Sequence, residues 1–72
     1  MDWIQTPESS NIARFRYDKK SEVLQIEFKK SSTYQYFDVP EAVVERMKSA
    51  GSKGQFFAQN VKGVYRYARV KG

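Results

Sequence analysis

The stretch Tyr34-Gln35-Tyr36-Phe37-Asp38-Val39-Pro40 constrains this chain more than any other. Before it, apolar residues alternate with polar ones in short runs, the period of strands. After it, they recur every three or four residues, the period of a helix. Pro40 suits the first turn of a helix, where its missing N–H is not needed, and it pushes Val39 out of the helical region. The change of structure is therefore expected at Val39–Pro40. Tyr34, Tyr36 and Phe37 put three rings into four residues, so a core between sheet and helix should be anchored at that corner.

Asn11 to Tyr17 reads as the first strand, with Ala13, Phe15 and Tyr17 on one face and Ile12, Arg14 and Arg16 on the other. Asp18-Lys19-Lys20-Ser21 is a polar hairpin break. Glu22 to Phe28 follows as the second strand, its apolar face made of Leu24, Ile26 and Phe28. On the solvent side, Glu27 or Glu22 should meet Arg14 or Arg16. After the turn Lys29-Lys30-Ser31-Ser32, Thr33 to Phe37 is the third strand, with Tyr34 and Tyr36 on one face. Links this short imply an antiparallel meander, because parallel pairing needs a crossover of about a dozen residues or more.

Pro40 to Ala50 reads as a helix with Val43, Val44, Met47 and Ala50 in one stripe. Its acids, Glu41 and Glu45, come first and its cations, Arg46 and Lys48, last, which complements the helix dipole. Gly51 is placed to end it in a left-handed conformation. Ser52-Lys53-Gly54-Gln55 reads as a capping box opening a second helix, from Lys53 to Asn60, with Phe57 on its buried face and Gly63 beyond its end. Val64 to Val70 alternates again, as a fourth strand or an extended tail. Met1 to Ser10 has no period and reads as an arm on which Trp3 and Ile4 are expected to dock. The fold class is therefore a single small α+β domain: a three-stranded antiparallel meander packed against two helices, with a C-terminal extended segment. Residues 1–8 are read as a flexible N-terminal arm and residues 9–70 as the domain.

The chain has no cysteine and no histidine, which removes disulfides, thiolate metal sites and the commonest general base. Glu41 and Glu45 lie one turn apart, but at the start of a helix their role is to stabilise its dipole. No Asp-x-Asp-x-Asp run offers a calcium loop. Ser52-Lys53-Gly54-Gln55 lacks the spacing of a phosphate-binding loop. No catalytic residue, metal ligand or cofactor is assigned, and the chain is read as non-enzymatic. No apolar run is long enough to span a membrane and Met1 to Gln5 lacks the pattern of a signal peptide, so the chain is read as soluble and cytoplasmic.

Charge carries the functional signal. The formal net charge is +5, yet from Arg46 onward there are seven Lys/Arg and no acid. Such asymmetry points to an anionic partner for the C-terminal part. Aromatics are interleaved with cations in Phe15-Arg16-Tyr17 and in Tyr65-Arg66-Tyr67-Ala68-Arg69, a pattern in which rings stack on bases and cations hold phosphates. Alternation alone would also produce it, with the tyrosines facing a core.

Six segments in order resemble the KTSC domain family. They are Ser9-Ser10-Asn11-Ile12, Tyr17-Asp18, Leu24-Gln25-Ile26-Glu27-Phe28, Tyr34 to Pro40, Ser52-Lys53-Gly54-Gln55-Phe56-Phe57 and Val61-Lys62-Gly63-Val64-Tyr65-Arg66-Tyr67. The resemblance runs from Ser9 to Val70. That family is named for a domain at the C-terminus of some lysyl-tRNA synthetases and also occurs as small free-standing proteins of bacteria and phages. Its recurring positions fall here on Ser10, Asn11, Tyr34, Tyr36, Pro40, Ser52, Lys53, Gly54, Phe57, Gly63, Tyr65 and Tyr67. The resemblance implies RNA binding, by association with a tRNA enzyme. Combined with the charge asymmetry, it makes a small RNA-binding module the expected function, with tRNA a possible ligand. Lys53, Lys62, Arg66, Arg69 and Lys71 would contact phosphates, with Gly54 beside Lys53. Tyr65 and Tyr67 would stack on bases, and Ser10 and Asn11 would complete a contact surface. The alternative is a protein-interaction module with no nucleic-acid ligand. A monomer is expected rather than a homodimer.

Overall fold

The computed structural model describes residues 3–30 and 32–70. The chain runs β1 (Ile4–Gln5), β2 (Ile12–Asp18), β3 (Val23–Phe28), β4 (Thr33–Tyr36), α1 (Glu41–Ser49), α2 (Lys53–Asn60) and β5 (Tyr67–Val70). The strands form one antiparallel sheet in the order β1-β2-β3-β4-β5. Phe15, Leu24, Ile26 and Tyr36 from the sheet pack with Val44 and Met47 of α1 and Phe57 of α2 in one buried cluster. Both helices thus serve the same face of the sheet. The other face carries Arg14, Arg16, Gln25, Glu27 and Gln35, which stand opposite one another across the strands.

Five strands stand where three and a tail are expected from the pattern. Two residues cannot display a period, so β1 is invisible in the sequence, yet Ile4 pairs with Phe15 and packs against the core. Just after it, Thr6 is fully buried, and its hydroxyl donates to the Ile12 carbonyl at 2.6 Å. The C-terminal segment returns after both helices and pairs with β4, placing Tyr67 opposite Tyr36 and Arg69 opposite Tyr34. Simple alternation also fails in β2. The register shifts between Ile12 and Arg14, and that bulge turns both Ile12 and Phe15 into the core, where each is fully buried.

The strand-to-helix corner forms where the change of period places it. Asp38 adopts a left-handed conformation (φ 58°), which a short polar side chain tolerates better than most. Val39 is fully buried, its N–H donates to the Glu22 carbonyl at 3.0 Å, and its carbonyl accepts the Tyr17 hydroxyl at 2.6 Å. The corner is therefore clamped to β2 and to the β2–β3 hairpin. Pro40 is extended and precedes the first turn of α1, its carbonyl accepting the Val43 N–H at 3.0 Å. Gly51 does not take the left-handed role expected of it. Ala50 ends α1 in an extended conformation, and among the described residues the glycine with positive φ is Gly63, at 80°. The Ser52 hydroxyl accepts the Gln55 N–H and caps α2, as its sequence suggests. No helix among the described residues is long and apolar enough to cross a membrane.

Candidate functional site

Phe28 ends β3 and Tyr34 lies near the start of β4, so the hairpin between them brings the two rings together at one end of the sheet. Their centroids are 5.7 Å apart and nearly perpendicular, and Phe28 meets Phe57 of α2 in the same manner at 5.5 Å. Tyr36 meets Phe57 at 5.2 Å, and Tyr67 leans on both Tyr34 (5.7 Å) and Tyr36 (5.6 Å). Edge-to-face and tilted contacts at these distances add to burial by roughly 0.5–1.5 kcal/mol each. The five rings line a cleft of about 500 Å³, whose polar lining includes Ser10, Asn11, Lys30 and Lys62.

The cleft has a buried floor and an open rim. Tyr36 and Phe57 are each 4% exposed, whereas Tyr67 is 60% exposed. Burial, with Tyr67 and Tyr34 close by, raises the Tyr36 hydroxyl above the ordinary phenol range. That group therefore stays protonated and neutral near neutral pH. The rim offers ring faces, a hydroxyl, a carboxamide and two ammonium groups. It can stack on a planar ring and hold an anion beside it. Among the described residues no cluster of His, Cys, Asp or Glu could hold a metal ion.

Ser10 and Asn11 reach the cleft because Ser9 folds the loop that carries them. The Ser9 hydroxyl accepts the backbone N–H groups of Asn11 (3.3 Å) and Ile12 (3.0 Å), and the Asn11 carbonyl accepts the Lys29 N–H at 2.8 Å. The start of α2 holds this loop from outside. A Cβ at Gly54 would lie 3.2 Å from the Ser9 hydroxyl oxygen, closer than most side-chain contacts allow. Beside it the Lys53 ammonium sits 3.6 Å from the Glu8 carboxylate and donates to the Ala50 carbonyl at 3.4 Å.

The residues singled out from sequence are thus divided among several places. Lys62, Tyr67, Ser10 and Asn11 meet in the cleft. Lys53 and Gly54 instead occupy the junction between the Ser9 loop and α2. Tyr65 packs against the core as a half-buried ring. Arg66 faces solvent, 3.4 Å from the Asp38 carboxylate and over the Phe37 ring. Arg69 lines a second groove with Arg14 and Arg16, and Lys71 lies outside the described residues. Phe28, Lys30, Tyr34, Tyr36 and Phe57 complete the cleft without having been proposed as contacts. Lys29-Lys30 in a turn flanked by Phe28 and Tyr34 was the sequence signal available for them.

A model of the KTSC domain matches residues 8–67. The chain is 42% identical over 64 residues to a lysine–tRNA ligase of Nostoc punctiforme, an alignment that covers 89% of the chain and 11% of the ligase. A similar ligase of Trichormus variabilis is 41% identical over the same length, so the chain spans about one ninth of these relatives. A small protein of Stutzerimonas stutzeri is 36% identical, with 88% of the chain and 90% of that protein covered. In three dimensions the chain is similar to a KTSC domain protein from Yersinia pestis, with a TM-score of 0.92, 34% identity and 97% of each chain covered. With most of its length matched in each comparison, this chain belongs to the KTSC domain family.

Proposed function

We propose that this domain is a non-catalytic accessory module that binds single-stranded RNA in the aromatic cleft, tRNA being the favoured source of such a strand. The observation that carries this reading is Tyr67: a ring 60% exposed, braced from behind by Tyr34 and Tyr36, in a cleft that also holds Lys30 and Lys62. Exposed aromatic faces beside cations are the platforms on which unpaired bases stack, at about 1–3 kcal/mol per base. Relatives that carry this domain within tRNA ligases fit a module delivered to an RNA-handling enzyme.

An amide-shift titration with tRNA and with short single-stranded oligonucleotides tests it. Shifts should concentrate at Asn11, Lys30, Tyr34, Lys62 and Tyr67. An absence of shifts at these positions, or none anywhere at low salt, would reject the cleft as an RNA site. Protein contact is the second reading, favoured by Val64, 61% exposed three residues before Tyr67. It would show as binding that high salt leaves intact.

A further inference from the structure

The face of the sheet opposite the helices carries its own groove, of about 950 Å³. Arg14, Arg16, Lys29 and Arg69 line it, and Glu27 is the one carboxylate among its lining residues. Arg14 already engages that carboxylate at 3.0 Å. Arg16, Lys29 and Arg69 have no carboxylate within 4 Å among the described residues. The groove therefore carries positive charge that no carboxylate among the described residues balances, with the Lys29 ammonium donating to the Pro7 and Ser9 carbonyls. Two of its guanidiniums, those of Arg14 and Arg16, are also held in place. The guanidinium carbons of Arg14 and Arg16 lie 4.2 Å and 4.3 Å from the centroid of the Trp3 ring, and Arg16 donates to Gln25 across the sheet.

Groove and cleft open along the same edge. Phe28 lines both; of the next two residues, Lys29 lines the groove and Lys30 the cleft. On β5, the edge strand, Tyr67 lines the cleft and Arg69, two residues on, lines the groove. Two residues apart on a strand, Tyr67 and Arg69 leave β5 on the same side, roughly 6.8 Å apart, so Arg69 joins the groove from the cleft side of the sheet edge.

We propose that the open face is a second contact surface for the strand whose base occupies the cleft, its phosphates running past Arg69 to Arg16 and Lys29. This inference rests on the cleft reading and adds phosphate contacts to it. The occupant follows from charge complementarity: a row of cations with few apolar side chains suits a phosphate backbone better than an apolar peptide.

The two arrangements differ in salt dependence. Lys30 and Lys62 alone would give a log–log slope of about −1.4, at about −0.7 per phosphate contact on a single strand. Adding Arg16, Lys29 and Arg69 gives about −3.5. The test is a titration of the full chain with a fluorescent single-stranded RNA of about a dozen nucleotides at several salt concentrations. The wild-type slope should be near −3.5, and Arg16→Gln with Arg69→Gln should bring it to about −2.1. Trp3 is the one tryptophan of the chain, so its emission, followed with unlabelled RNA, reports on this face alone and should change on binding. This readout needs no variant and stands if the double substitution fails to fold. A wild-type slope near −1.4 with unchanged Trp3 emission overturns the second surface while leaving the cleft intact. Absence of any RNA binding overturns both.

Discussion

Replacing Tyr67 with alanine separates ligand binding from folding, because the ring is attached to the core but not enclosed by it. A tyrosine removes roughly 150–250 Å² from water when fully buried. At 60% exposure Tyr67 buries roughly 60–100 Å² of this. At about 25 cal/mol per Å² the loss to folding is about 1.5–2.5 kcal/mol. A domain of 72 residues has a stability of roughly 4–11 kcal/mol. Tyr67→Ala should therefore remain folded, with a lower melting temperature. Its affinity for single-stranded RNA should fall by about 1–3 kcal/mol, or about 5- to 150-fold, as one stacking platform disappears. Tyr67→Phe keeps the ring and should retain most of the affinity. The assay is fluorescence anisotropy with a labelled oligonucleotide, paired with circular dichroism on the same samples. A folded Tyr67→Ala protein that binds like wild type would refute the stacking role and, with it, the cleft as the base site.

Three further changes probe the scaffold. Thr6→Val removes the fully buried hydroxyl that donates to Ile12 and should lower stability by about 1–2 kcal/mol, read from the urea midpoint. An unchanged midpoint would show that this hydrogen bond adds nothing to stability. Gly63→Ala forces a Cβ into a left-handed conformation (φ 80°) and should cost about 1–2 kcal/mol, measured by thermal melting. In alkali, Tyr17 and Tyr36 should lose their protons late. Burial raises both hydroxyls, helped at Tyr17 by Glu22, Glu41 and Asp18 and at Tyr36 by Tyr67 and Tyr34. Each is harder to ionise in the folded chain than in the unfolded one. Their stabilisation is thus complete below the unfolded phenol pKa and is lost as pH rises through the raised folded values. Phenolate absorbance should show two late-titrating groups, one of which disappears in Tyr17→Phe and the other in Tyr36→Phe.

Local features were legible in the sequence wherever one residue type has one physical reason. Pro40 marks the helix start, Ser52 caps α2, and the alternation in Leu24-Gln25-Ile26 places two side chains in the core. Arg14 meets Glu27 because antiparallel pairing puts them opposite each other. What escaped depends on distant partners or on a single inserted residue. A two-residue strand has no period, β5 pairs with a strand some thirty positions earlier, and the bulge at Ala13 reverses the face of Ile12. The cleft escaped for the same reason. Its rings come from β3, β4, α2 and β5, and it takes the hairpin, the docking of α2 and the return of the C-terminal segment together to assemble them.

Lys53 and Gly54 illustrate how a binding signal in sequence can have a supporting role in space. A lysine and a glycine opening a helix suggest a seat for an anion, since the first N–H groups of a helix are unpaired. Here the Ser52 hydroxyl takes one of those groups, the Glu8 carboxylate faces the lysine, and the glycine leaves room for Ser9. Ser9 in turn sets the backbone of Asn11 and Ile12, and with it the approach of Ser10 and Asn11 to the aromatic rings. The start of α2 thus acts on the cleft through the loop it braces. A side chain added at residue 54 would press first on Ser9, so a loss of binding there would report a displaced loop before it reported a lost ligand contact.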